Sequence, residues 1–313
     1  MSSNTDLTYG EFELLQLLLR YGDQPLPTIP RRLAITSQEV ADAITSLAQQ
    51  GLVRRTGDKL RLRGPTTVIL DKLAPYKVQR AVILAAGLGS RMRPATNTLP
   101  KPMMLINNKR IIETQLDALL AANITDITIV RGYLGDMFDP LTTRYPNIKF
   151  ITSTAWNLTS ALDSAVLAID LLDNAYLLEG DIYIHDPAVI RPYEYRSSYC
   201  GIQDNVHSDW YFQTNNHSII TSLAFGDCPM MDNFYHYIGI SYWRPREVNN
   251  LKSDLQSILS SPHKEPCIEN IHFNTHKQHY SFILRQLTKN SVTEVDTYDE
   301  LQALRFSCRK IQA

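Results

Sequence analysis

The sequence predicts an α/β fold, and three observations carry that prediction. From Val78 onward, short apolar runs that read as buried strands alternate with helical patterns, as in a sheet covered by helices. One of those runs, residues 82–84, passes directly into a small glycine-containing turn. Another, residues 175–179, ends at Gly180-Asp181, and open α/β sheets present ligands at the carboxyl ends of their strands. Together they describe a Rossmann-like mixed-sheet domain over residues 76–313, preceded by a smaller α+β domain over 1–75.

In the first domain, Thr8-x-x-Glu11 is a capping box that opens a helix running to about Arg20. Pro25, Pro27 and Pro30 punctuate a short helical piece at 28–34. Thr36-x-x-Glu39 opens a further helix with Val40, Ala43, Ile44, Leu47 and Ala48 on one face, ended by Gly51. Residues 52–55 and 60–63 flank the turn Thr56-Gly57-Asp58 and read as a β-hairpin. Three helices and a hairpin resemble a winged helix, whose functional reading is DNA binding. The wing is basic (Arg54, Arg55, Lys59, Arg61, Arg63), but the recognition-helix position offers Gln38, Glu39, Asp42, Thr45, Gln49 and Gln50, with no cation for phosphates or guanine edges. Nine Lys/Arg against eight Asp/Glu in residues 1–75 is near neutral, which favours a dimerisation or scaffold role, with a homodimer as the expected partner, over DNA binding. Residues 64–76, with Pro65 and Pro75, read as the junction.

In the second domain, helices are expected at 110–122, 134–144, 158–172, 245–260 and 298–306. Strands are expected at 127–130, 148–152, 175–179, 197–204, 209–213, 218–225, 236–243 and 280–286. At 313 residues, 44% hydrophobic and net charge −1, the chain has no bulk attraction to nucleic acid or membrane. No run approaches the roughly 20 apolar residues of a membrane span, and no basic n-region opens the chain, so a cytoplasmic protein is expected. The four scattered cysteines form no Cys-x-x-Cys pair. The histidines between His263 and His279 show no clear ligand spacing and read as surface or loop residues.

The chemistry concentrates in residues 81–103. Leu84, Ala85, Ala86, Gly87, Gly89 and Ser90 leave room for a ligand against the backbone, whose exposed N–H groups form an anion-binding nest. Arg91, Arg93 and Lys101 add charge, a combination suited to a nucleoside triphosphate. There is no Gly-x-x-x-x-Gly-Lys-[Ser/Thr], and the glycines are not spaced Gly-x-Gly-x-x-Gly, so neither the P-loop nor the dinucleotide fingerprint applies. Asp181, just past a buried strand, is placed to hold Mg²⁺, which takes oxygen ligands and shares them with phosphates. Before the last helix stand two further carboxylates, Glu294 and Asp296; capping of that helix by Asp296 or Thr297 is their structural reading.

The run Gly87-x-Gly89-Ser90-Arg91-x-x-Pro94-x-Thr96-x-x-x-Pro100-Lys101-Pro102-Met103 resembles the signature of the nucleotidyltransferases that activate sugar phosphates and choline phosphate. The resemblance implies that Arg91 contacts departing pyrophosphate, that Lys101 contacts the reacting phosphates, and that Asp181 and a late aspartate, Asp296 with Glu294 in reserve, ligate magnesium. Beyond the signature the chain is most similar to bacterial choline-phosphate cytidylyltransferases, weakly over residues 79–306, including Gly132-Tyr133, Trp210 and Gly239–Trp243. It implies CTP as the nucleotide, Gly132 and Tyr133 on the nucleotide side, and choline phosphate as acceptor. Trp210, Tyr242 and Glu269 would supply an aromatic and acidic cage for a quaternary ammonium; Tyr242 and Trp243 alternate along a strand, so both cannot face it. Where the family has aromatic residues before an acidic-Asn pair, this chain has Pro266-Cys267-Ile268 before Glu269-Asn270. That loss of rings keeps 2-aminoethylphosphonate and phosphoethanolamine as competing acceptors, alongside sugar 1-phosphates. A nucleotide-sensing DNA-binding regulator is the non-enzyme alternative.

Overall fold

The structure is a computed structural model that describes residues 6–33, 35–154, 161–204, 207–258 and 267–310. It divides into two compact units, residues 1–77 and 78–313.

In the smaller unit, helix α1 (Tyr9–Tyr21) starts at a complete Thr8/Glu11 capping box. A short strand β1 (Gln24–Pro25) and helix α2 (Ile29–Leu33) follow, and α3 (Ser37–Gln49) starts at a complete Thr36/Glu39 box. Strands β2 (Val53–Thr56) and β3 (Lys59–Leu62) form the expected hairpin, and β1 joins its edge through β3. The expected junction is not a plain linker. Pro65 N-caps helix α4 (Thr66–Leu73), whose Ile69 and Leu73, one turn apart, are buried. The prolines at 65 and 75 bracket a helix rather than replace one.

In the larger unit, β4 (Arg80–Ala85) is the central parallel strand, flanked by β7 (Asp126–Arg131) and β9 (Ala175–Glu179). Before β7 come the small hairpin β5 (Leu105–Ile106)–β6 (Lys109–Arg110) and helix α5 (Ile111–Ala121). The continuous helix expected at 134–144 is broken: Leu134 adopts a left-handed conformation (φ 50°), and only α6 (Leu141–Arg144) is α-helical, after Pro140. Strand β8 (Lys149–Thr152) extends the parallel side. Helix α7 (Ala161–Leu167) occupies the described part of the expected 158–172 helix; residues 158–160 lie outside the described residues.

Strands β11 (Ser198–Ile202), β12 (Asp209–Thr214), β13 (Ile220–Gly226), β14 (Phe234–Trp243) and β15 (Ile283–Gln286) complete a nine-stranded mixed sheet. Helix α8 (Pro245–Ile258) and a second helical segment, α9 (Ile268–Asn270) continuing as a π-turn through Thr275, cover one face. Helix α5 packs on the other. No described helix is long and apolar enough to cross a membrane.

Two details of this sheet position the site. Strand β14 pairs with β12 through 234–236 and with β9 through 240–243. His236 and Ser241 each also pair with β11, so β12 and β9 share one edge of β14. Residues 237–239 therefore lie in a seam between the two neighbours. The second detail is a separate two-stranded ribbon that sequence periodicity does not reveal. Strand β10 (Ile182–Ile184), immediately after Asp181, pairs antiparallel with β16 (Val292–Glu294), with Ile182 opposite Glu294. Helix α10 (Tyr298–Lys310) follows.

Candidate active site

The turn after β4 is held open by its own contacts. Gly89 has φ 62°, a left-handed conformation that suits glycine, and a Cβ there would meet Thr96 Cγ2 at 3.1 Å. Thr96 Oγ1 donates to the Gly89 carbonyl at 2.9 Å, and Tyr133 Oη donates to the Thr96 carbonyl at 2.9 Å. A cavity of about 350 Å³ opens beside this turn, and Leu84, Ala85, Ala86, Gly87, Gly89, Ser90, Arg91, Lys101, Asp181 and Asp296 all line it. Sequence reasoning misses Pro102, Ser164, Glu179 and Gly180, which share the wall.

Five expected contacts, Glu269 among them, lie outside the cavity wall. Gly132 and Tyr133 are outside the cavity wall; Tyr133 N–H donates to the Ala86 carbonyl at 3.1 Å and braces the turn from behind. Trp210 packs edge-on to Phe225, ring centres 5.3 Å apart, away from the wall. Tyr242 is 1% exposed, with its ring 5.7 Å from that of Tyr176 and its hydroxyl 3.3 Å from Asn174. Tyr242 and Trp243 point to opposite faces, as alternation requires, but both faces of β14 are covered there and each ring is spent on a core.

Lys101 is the hub of the cavity. It is 9% exposed, and its Nζ donates to Asp181 Oδ2 at 2.8 Å and to Asp296 Oδ1 at 2.5 Å. Arg91 Nη2 lies 2.8 Å from the other Asp296 oxygen. Burial works against the Lys101 ammonium, but the two aspartates outweigh it and hold its pKa above the ordinary lysine value. The capping alternative for Asp296 resolves in favour of Thr297, whose Oγ1 accepts from Glu300 N–H while Glu300 Oε2 accepts from the backbone of Asp296 and Thr297. That leaves the Asp296 carboxylate free for the cavity. Asp181 is fixed from behind by buried Gln115 of α5, whose Nε2 donates to the carbonyls of both Glu179 and Ile182 at 2.8 Å.

Around this hub lies an excess of carboxylates. Glu179, Asp181 and Glu294 bring oxygens within 4.8 Å of one another, and Asp209, His236 and Glu294 form a second such group. Glu294 is forced well above the usual carboxyl range, first by burial and then by Asp181, Glu179, Asp296 and Asp209. Glu179 is pushed up to about 8 by burial, then by Asp181 and Glu269. Tyr237, in the seam of β14, donates to Glu179 Oε1 at 2.8 Å, and its hydroxyl lies 3.4 Å from Glu269 Oε1. Glu269, raised by burial, is thus one tyrosine hydroxyl away from a wall residue without lining the cavity itself. Among the described residues, none of Glu179, Glu269 and Glu294 is ion-paired with lysine or arginine. The missed partners Glu179, Tyr237 and Asp209 carry no motif; only the fold joins them.

This arrangement fits a divalent metal. Asp181 Oδ1 is buried without a hydrogen-bond partner among the described residues, and the two groups clustered with it, Glu179 and Glu294, offer carboxylate oxygens, the ligand type of Mg²⁺.

The chain resembles known cytidylyltransferases. The chain is 29% identical over 226 residues to a 2-aminoethylphosphonate cytidylyltransferase of Lancefieldella rimae, covering 71% of this chain and 90% of that protein. It is 25% identical over 225 residues to a choline-phosphate cytidylyltransferase of Haemophilus influenzae, covering 70% and 93%. Among solved structures, a CTP:phosphocholine cytidylyltransferase from Streptococcus pneumoniae superposes with TM-score 0.66 at 23% identity, over 73% of this chain and 98% of that one, which shows a shared fold. Residues 80–191, which hold the glycine turn, Lys101 and Asp181, match the nucleotidyl transferase family, and the chain is a nucleotidyltransferase.

Proposed function

We propose that the chain is a cytidylyltransferase that moves CMP from CTP to a small acceptor bearing a phosphonate or phosphate at one end and a primary ammonium at the other, with 2-aminoethylphosphonate as first candidate. The observation that carries the acceptor is the Glu179–Tyr237–Glu269 cluster beside the cavity, which presents hydrogen-bond acceptors and, among the described residues, no ion-paired basic side chain. A primary ammonium offers three N–H donors to such a cluster; a trimethylammonium offers none and relies on ring faces. The Lancefieldella relative supports the same choice. This reverses the order expected from sequence, which put choline phosphate first.

The triphosphate lies against the Gly87–Ser90 backbone amides, with Arg91 toward the leaving pyrophosphate and Lys101 toward the reacting phosphates. The acceptor oxygen is already ionised near neutral pH, so no general base is needed. It attacks the α-phosphorus in line, the bond to the β-phosphate oxygen breaks, and pyrophosphate leaves. Lys101 and Arg91 offset the charge that gathers on the phosphorus centre and leaving group. Asp181 and Asp296, with Glu294 behind them, would hold Mg²⁺, which supplies further neutralisation of phosphate charge. For residues 1–77 we propose a winged-helix-like scaffold role.

A second reading, choline phosphate, draws on the Tyr199 and Tyr237 rings, 6.1 Å apart beside Glu269. The test is pyrophosphate release from CTP with 2-aminoethylphosphonate, phosphoethanolamine, choline phosphate and sugar 1-phosphates. Turnover led by a primary-amine acceptor is expected. Preference for choline phosphate or a sugar phosphate would overturn the acceptor assignment, and no release with any acceptor would overturn the enzyme reading in favour of a nucleotide sensor.

A further inference from the structure

We infer that Asp254, His276 and His279 form a site for a late first-row divalent metal ion, zinc first, separate from the carboxylates of the cavity. Asp254 lies on α8, and the two histidines follow the helical segment that starts at Ile268. His263 lies outside the described residues. Of the histidines expected to be surface or loop residues, His276 and His279 converge on Asp254, while His272 is buried. His279 Nδ1 is 2.9 Å and His276 Nδ1 is 3.5 Å from the same oxygen, Asp254 Oδ1, and the three ligand atoms lie within 4.8 Å of one another.

Those separations suit a metal. Ligands held about 2.0–2.1 Å from zinc in a tetrahedral shell stand roughly 3.3 Å apart. Two imidazoles and one carboxylate are a zinc-type donor set that leaves a fourth position for water. The site also has the outer support such sites use. Tyr280 Oη donates to Asp254 Oδ2 at 2.6 Å, which turns Oδ1 toward the histidines. Asn250 Nδ2 donates to the His279 carbonyl at 2.5 Å. Asp254 is buried while His279 is exposed at the opening, so an ion has an entry path. A bound ion would fasten the end of the 268–275 segment to α8. As a hydrogen-bond network alone, the cluster would leave His276 at 3.5 Å, at the limit of a hydrogen bond.

The test is a zinc titration of the full chain against a competing chelator dye, with excess Mg²⁺ to occupy the carboxylate site. One zinc per chain is expected. His279→Ala should weaken it by at least about 100-fold, and Tyr280→Phe by roughly 10- to 100-fold, the usual range for losing an outer-shell partner. Zinc should raise the melting temperature of the parent and not of His276→Ala. Affinity equal in the parent and in both histidine variants would overturn the site. The readout is metal binding and thermal shift, so it stands or fails independently of turnover and of the acceptor assignment.

Discussion

The two halves of the cavity are built by opposite means. The half we propose for the triphosphate is one contiguous run, from the end of β4 through Lys101, and its shape is fixed by neighbours in sequence such as Thr96 bonding back to Gly89. The half we propose for the acceptor is assembled from the ends of β9 and β12, the seam of β14, the 268–275 segment and β16. The first half is cationic and partly exposed at Arg91; the second is acidic and buried at Glu179, Glu269 and Glu294. A short local motif suffices to bind a group common to many substrates. Recognition of the variable group is left to side chains that only the tertiary fold brings together.

The sharpest way to break this comparison is at the hub where the halves meet. Asp181→Asn is expected to lower kcat at least about 100-fold, the scale of losing one preorganised electrostatic group, with the melting temperature little changed. Pyrophosphate release and a thermal melt measure both, and near-normal turnover would remove Asp181 from the site. Next in size is the division itself. Glu269→Gln and Tyr237→Phe should each raise the KM of the aminoalkyl acceptor about tenfold, the equivalent of one lost charge-assisted hydrogen bond, while the KM for CTP stays put. Equal effects on both substrates would erase the boundary drawn between the halves.

A smaller effect follows from the Glu179 carboxyl at about 8, against 4.5 for the ordinary group. Its folded-state value is raised, so protonation favours the fold. That stability is complete below about pH 4.5 and is lost progressively as pH rises towards 8. In chelator, Glu179→Gln should therefore gain melting temperature relative to the parent at pH 9 and lose that advantage near pH 4.5. An identical pH profile in parent and variant would contradict the burial argument. The smallest effect belongs to Tyr242→Phe, which should leave both KM values unchanged and cost no more than about 1.5 kcal/mol by denaturant melt, the worth of one neutral hydrogen bond. A changed acceptor KM would return Tyr242 to the site.

The same contrast explains what the sequence revealed. Capping boxes at Thr8 and Thr36 state helix starts outright, and both are formed. The glycine turn, Lys101 and Asp181 are readable because strand, turn and charge are adjacent in the chain. The β10–β16 ribbon is not, because each strand has three residues, too few to show a period, and the partners lie far apart in sequence. Tyr242 misled for a related reason. Alternation says which residues share a face of β14, but not that helices cover both faces. Glu179 was hidden inside a hydrophobic run where it reads as the end of a strand. The helix expected at 134–144 failed at Leu134, whose left-handed backbone has no sequence signal of its own.

The seam of β14 has a consequence for how far specificity can drift. A Cβ at Gly239 would stand 2.7 Å from the side chain of Glu179, a wall residue, so bare main chain backs the wall at that point. A wall residue backed by bare main chain cannot be moved outward by trimming a side chain behind it. Any lineage that comes to accept a bulkier headgroup must widen the rim, through β12 or the 268–275 segment, and leave the floor as it is. Such change costs the triphosphate run nothing, which makes one end of the reaction free to diversify while the other stays fixed.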